Sequence, residues 1–301
     1  MVLVKQMIIF FLLMLIGYGM GKRGIIDEKV SKSFSWLIVN VANPALILSG
    51  SIGTVMERME LLRILALATV LFLVLILVAE LLIPFFHLEQ KDAGVYKVLL
   101  IFSNMGFMGF PIISALYGQQ ALLYAAVFLL PFNLLIYSYG NYRISGKKMK
   151  LKEAVGKILN IGLLAGVLSL VLAIGQIQIP TIMEQLINML SGLTAPLCMI
   201  VIGASFVKVN FRDLFYNAKL IFFSLIKLLI IPLLGMVIIR MFVDDAVLQG
   251  ICYIVLACPC GSMGAMLAEQ NGGNYITASE GVAVTTLFSV VTMPLLFAMI
   301  G

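Results

Sequence analysis

Residues 103–111, Ser-Asn-Met-Gly-Phe-Met-Gly-Phe-Pro, lie inside an apolar run from Val95 to Tyr117. A hydroxyl, an amide, two glycines and a proline are out of place in a plain hydrophobic helix. Pro111 has no N–H to donate and crowds a carbonyl one turn back, while Gly106 and Gly109 let the backbone leave helical geometry. Backbone groups released in hydrocarbon cost several kcal/mol unless protein, water or a ligand satisfies them. A half-helix starting after such a break presents unpaired N–H groups and a partial positive charge, which suits an anion. Asn104 adds a neutral amide donor beside it. The chemistry these residues could do is to hold a small anion without a fixed cation.

A second segment has the same make-up. Residues 258–266, Cys-Pro-Cys-Gly-Ser-Met-Gly-Ala-Met, lie under 103–111 with Gly106 over Gly261, Met108 over Met263 and Gly109 over Gly264. Downstream, Gly118 falls on Gly273. Upstream, "NPALILSG" (43–50) resembles "APLCMIVIG" (195–203), with Pro44 over Pro196. One kinked apolar helix would mean little, because Gly and Pro are frequent in transmembrane helices. Two breaks at corresponding places in two halves point to a transporter built from inverted repeats, with its site near the bilayer midplane.

The elements that must position these segments follow from composition. The chain has 301 residues, 62% hydrophobic and 11% charged, against about 25% charged in soluble domains. Its apolar runs approach the roughly 20 residues that span a bilayer. The pattern predicts an all-α polytopic membrane protein with ten transmembrane helices at about 6–21, 33–56, 61–84, 95–117, 121–140, 155–175, 183–207, 217–241, 246–268 and 275–299. These form two five-helix repeats, 1–145 and 146–301, in each of which the fourth span is broken. Five is odd, so the second repeat enters the membrane inverted. No stretch between spans is long enough for a soluble domain. The first span is expected to be a retained helix, since Gly17, Gly19 and Gly21 run directly into Lys22 and Arg23 without a cleavage pattern.

The cations orient the chain. Lys22, Arg23, Lys29, Lys32, Lys91, Lys97, Arg143, Lys147, Lys148, Lys150, Lys152, Lys157, Lys208, Arg212 and Lys219 fall on one side, against Lys5, Arg58, Arg63 and Arg240 on the other. The rich side is expected to be cytoplasmic, with both termini outside and the plasma membrane as the location. The net charge of +6 is this topology signal and not a nucleic-acid footprint.

Other residues carry weaker signals. Of the four cysteines, Cys258 and Cys260 lack zinc spacing and the chain has one histidine, so no metal or cofactor is expected. Small residues at a tight crossing explain the pair. His87, among "HLEQKD", reads as a solvated helix end. Lys227 lies about ten residues into span eight and is a functional candidate by depth. It could pair with a carboxylate, bind substrate or stand in for a coupling cation. The other reading is a lysine reaching the interface by its long stem. Glu80 and Glu280 are candidate partners or proton carriers. No Asp-rich phosphate motif, His-Glu-x-x-His or Gly-x-Ser-x-Gly is present, so an enzyme is not expected.

The stretch "GYGMGKRGIIDEKVSKSFSWLIVNVANPALILSGSI" and the run "NMGFMGFPIISALYG" resemble the auxin efflux carrier family, and "CPCGSMGAMLAEQNG" is similar to its ninth-span Pro-x-Gly segment. The resemblance covers essentially the whole chain. It implies ten helices in two inverted repeats whose fourth and ninth helices cross at their breaks, with a scaffold and a transport domain each built from both halves. It also implies elevator-type transport of small organic anions (malate, malonate or auxin-like acids) and matches Asn104 to the family's carboxylate-contacting asparagine. The long central loop of the plant carriers is reduced here to about residues 141–154, and Pro259 and Cys260 stand where a second polar contact would be sought. The candidate substrate-binding set is Asn104 with Ser103, Met105, Gly106, Pro259, Cys260, Gly261 and Asn43. Gly109, Pro111 and Gly264 are candidate crossover or hinge positions. Expected partners are a small carboxylate and the lipid bilayer, with a homodimer left open and no nucleic acid. The alternatives are a sodium-coupled symporter of the bile-acid type and a carboxylate sensor on a transporter fold.

Overall fold

In the computed structural model the chain is helical, and residues 2–147, 151–208 and 217–299 are described. Lys148, Lys150 and Arg212, counted above among the loop cations, lie outside them, as do the side chains of Lys152 and Lys208. Among the described residues, the sole β-type pairing is an isolated antiparallel bridge between Ser103 and Cys260. Among the described residues, six helical stretches are long and apolar enough to cross a membrane: Lys5–Lys22, Arg58–Phe86, Ala121–Ser145, Thr181–Ser205, Ala218–Phe242 and Tyr275–Ala298. Met105–Tyr117, Ile161–Ile174 and Ala246–Ala257 are apolar but shorter. Large apolar side chains such as Leu12, Leu73, Leu81, Val237 and Phe242 stand exposed on these helices, an arrangement that lipid tolerates and water does not.

Several spans are interrupted. The expected fourth span is Gln90–Ile101, a break, then helix again from Met105 to Tyr117. The ninth is Ala246–Ala257, a break, then Ser262–Asn271. The sixth, expected to be continuous, stops at Ile158 and restarts at Ile161. There Asn160 donates from Nδ2 to Asn133 Oδ1 at 2.6 Å.

Among the described residues, four π turns lie within the helices, at Ile38–Ala42, Met105–Gly109, Ile136–Gly140 and Ile226–Ile230. Three of them lead into helices with a proline at the second position, Pro44, Pro111 and Pro232. A proline cannot bond the carbonyl four residues back and clashes with it, so the ladder widens by one residue just before it.

The chain forms two compact units, each assembled from both halves of the sequence. The first comprises Met1–Leu62, Gly106–Val127 and Ile161–Val209. Its tightest pairing is between Val2–Lys22 and Thr194–Ser205. A Cβ on Gly17 would lie 2.1 Å from Ile200 O, and one on Gly203 would lie 2.0 Å from Met14 O. Only glycine lets these backbones touch, the small-residue contact that replaces hydrophobic drive in lipid. Asn43–Ser49 packs on Ile161–Ile174 and Thr181–Ser191, with Ser169 Oγ donating to Ile47 O at 3.2 Å.

The second unit comprises Arg63–Met105, Phe128–Asn160 and Asn210–Gly301. Phe72, Phe102 and Phe132 form one aromatic cluster, with centroids 5.4–6.3 Å apart. Phe86, Tyr96 and Phe223 form another, closest at 4.8 Å between Tyr96 and Phe223.

Candidate functional site at two helix breaks

Both breaks belong to the second unit, and they meet. Gln90–Ile101 ends in Phe102, which is extended at φ −99° and ψ 95°. Ala246–Ala257 ends in Cys258, at φ −60° and ψ 144°. Pro259 explains the second ending, because a residue preceding proline is pushed out of the α region. The two strips run antiparallel. Asn104 N donates to Pro259 O at 2.8 Å, and Gly261 N donates to Phe102 O at 2.9 Å. Groups freed by one break are thus satisfied by the other, as a buried backbone requires. Gly261 has to be small, since a Cβ there would come 2.9 Å from Phe102 O. Cys260 N donates to Thr285 Oγ1 at 3.1 Å, tying the strip to Tyr275–Ala298.

Lys227 enters this framework from the π turn Ile226–Ile230. It is fully buried. Its Nζ donates to Ser103 Oγ at 2.8 Å and lies 3.4 Å from Leu256 O. Ser103 Oγ in turn donates to Val255 O at 2.6 Å. The lysine therefore does not snorkel, and among the described residues no carboxylate lies within salt-bridge reach of it. Ser103 and Asn104 are both buried.

Glu80, one of the two carboxylates named as candidate partners of Lys227, is paired with other cations. It accepts from Lys97 Nζ at 2.7 Å, pairs with Arg143 Nη2 at 2.6 Å and accepts from the Tyr139 hydroxyl. This cluster joins three helical segments of the second unit. Gly94 backs it, since a Cβ there would lie 2.1 Å from Arg143 O. Glu280 is partly buried on Tyr275–Ala298, in electrostatic range of Tyr96. His87 is exposed and takes a left-handed turn at φ 48°. With Glu89, Asp92, Tyr96, Asn217, Lys219 and Thr277 it lines a polar cavity of about 370 Å³.

The other candidates fall as follows. Met105 and Gly106 open the π turn after the first break, and Gly109 closes it. Pro111 stands in the first turn of Phe110–Tyr117. Gly264 lies inside Ser262–Asn271, where a Cβ would meet Leu99 Cδ2 at 3.1 Å. These three hinge candidates are helical, and the breaks themselves are Phe102–Asn104 and Cys258–Gly261. All four cysteines are free and buried. Asn43, in the first unit, is buried, and among the described residues its side-chain oxygen has no hydrogen-bond partner. Phe102 and Thr285, which frame the meeting strips, were not singled out from sequence. An aromatic and a threonine in apolar helices give no signal by type.

A polytopic helical chain with two broken helices bonded backbone to backbone, and a buried lysine against them, has the parts of a membrane transporter. The chain belongs to the membrane transport protein family, which it matches over residues 2–297 and which is the auxin efflux carrier type indicated by its motifs. It is 26% identical over 219 residues to the uncharacterized transporter MJ1031 of Methanocaldococcus jannaschii, covering 68% of this chain and 69% of that protein. It is 26% identical over 305 residues to an uncharacterized transporter of Methanothermobacter thermautotrophicus, covering 94% of this chain and 93% of the other. Likeness to the uncharacterized transporter YfdV of Escherichia coli K12 is 23% over 298 residues, again covering 94% and 93%.

Proposed function

We propose that this membrane transporter carries small organic anions, mono- or dicarboxylates, through a site centred on Asn104, by elevator-type alternating access. The fold read with this function is ten spans in two inverted repeats, with the fourth and ninth helices crossing at their breaks. Both termini lie outside and the protein resides in the plasma membrane. The observation that carries the reading is the mutual hydrogen bonding of Phe102–Asn104 with Pro259–Gly261. Such breaks are tolerated at membrane depth where they are buried in protein or line a cavity, and transporters place substrate at them. The composition of each unit from both halves of the chain agrees with domains built across an inverted repeat.

The test is uptake of radiolabelled malonate and malate by proteoliposomes. Asn104→Ala should weaken binding by about 1.5–3 kcal/mol, the range for a hydrogen bond to a charged group. Asn104→Asp should be worse, because it sets an anion against an anion. Carboxylate affinity retained in both folded variants would place the substrate elsewhere. Binding without flux would make the protein a sensor on this fold.

A further inference from the structure

Lys227, Ser103 and Asn104 all belong to the second unit. Among the described residues Lys227 Nζ has two acceptors, Ser103 Oγ at 2.8 Å and Leu256 O at 3.4 Å. Ser103 spends its own hydroxyl hydrogen on Val255 O, so toward the lysine it can only accept. A neutral amine has two N–H hydrogens, and these two acceptors use both. An ammonium has three, and among the described residues none is left to take the third. A buried charge is costly without a counter-charge, and the side chain is fully buried with no described carboxylate in salt-bridge reach.

The titratable groups around it supply no anion. Cys258 and Cys260 of the break face it as buried thiols. Of the helices packed on its turn, Ala218–Leu225 carries Lys219, which donates to His87 O at 3.2 Å, and Ile231–Phe242 carries Arg240, exposed in its last turn. Ala246–Ala257 carries Cys252 and Tyr253, whose hydroxyl donates to Met236 O at 3.3 Å. Tyr275–Ala298 carries Tyr275, which is exposed, and Glu280, in electrostatic range of Tyr96.

We propose that Lys227 is a proton carrier coupled to the transported anion: a neutral amine in the empty site, it takes up one proton when a carboxylate binds beside Asn104. The Nζ lone pair forms the new N–H bond, and a hydronium ion on the side to which the site is open becomes water. The carboxylate accepts the third hydrogen and offsets the charge. A thiol giving up the proton would only exchange one buried charge for another. Release of the anion reverses the step, so anion and proton cross together and a pH gradient drives the anion. The inference rests on the carboxylate reading above and adds its coupling.

The experiment is calorimetry of malonate and malate binding to the purified full chain at neutral pH, in buffers of different ionisation enthalpy. The difference in heat counts the protons exchanged. About one proton should be taken up per anion bound, and apparent affinity should fall about tenfold per pH unit on the alkaline side. Lys227→Met should bind more weakly and without uptake. Should it not fold, Lys227→Arg takes its place, since a guanidinium stays charged and has no proton to gain. Binding without uptake by the unaltered protein overturns the proposal, as does uptake that persists in the variant. Failure of both anions to bind the unaltered protein is a different result: it removes the carboxylate reading, and this inference with it.

Discussion

The contact between Lys227 and Ser103 makes a quantitative demand. In Lys227→Met the replacement fills much the same space, so little cavity is left. Ser103 Oγ still donates to Val255 O but loses its only described donor. A buried acceptor left without a partner costs about 1–3 kcal/mol. In Ser103→Ala the lysine Nζ loses its 2.8 Å partner and keeps only the 3.4 Å approach to Leu256 O, a loss of similar size. In the double variant neither side chain remains to be orphaned by the other, so the two losses should fall short of adding by about 1 kcal/mol or more. Contacting residues typically couple by about 0.5–3 kcal/mol. The assay is reversible unfolding of all four proteins in mixed micelles of increasing denaturing detergent. Additivity to within about 0.3–0.5 kcal/mol, as for independent sites, would refute the interaction and with it the lysine's place in the site.

Three further outcomes are expected. Glu80→Gln leaves Lys97 and Arg143 as like charges around a neutral amide and should lower stability by about 1–2 kcal/mol, tempered by partial exposure; an unchanged unfolding curve would mean the cluster contributes nothing. Gly203→Ala should destabilise by about 1–3 kcal/mol through backbone overlap with Met14, while Gly19→Ala, where a Cβ meets nothing within 4 Å, should be neutral or slightly stabilising in the same unfolding assay. A cysteine at Lys147 should react with an impermeant maleimide only from the cytoplasmic side; labelling from outside alone would invert the proposed topology.

The breaks were legible from proline and glycine because those residues change what a backbone can do anywhere it runs. Their exact extent was not. The glycines at 106 and 109 suggested an interruption reaching Pro111, whereas helix resumes, as a π turn, at Met105. What ends the break is the pairing of Asn104 with Pro259, a contact 155 residues apart that local composition cannot encode. The depth of Lys227 was readable by counting along its span, but its partner Ser103 lies 124 residues away. The partners of Glu80, Lys97 and Arg143, were not legible for the same reason, since several cations compete for it and distance along the chain does not rank them. The interruption before Ile161 left one trace, Asn160 in an otherwise apolar stretch, and its bond to Asn133 explains why an amide is tolerated there.

The π turn at Ile226–Ile230 has a consequence for helix phase. In register terms a π turn is a single inserted residue held in the ladder, here just ahead of Pro232. Each residue of an α-helix advances the face by about 100°. Deleting one residue from this turn would close the ladder and swing Ala218–Leu225 by that angle relative to Ile231–Phe242, carrying Lys227 off Ser103 without altering either side chain. The lysine's address is therefore written in the count of residues between it and the proline. Two chains of this family that both keep a lysine in this helix would present it to the same place only if they also keep that spacing.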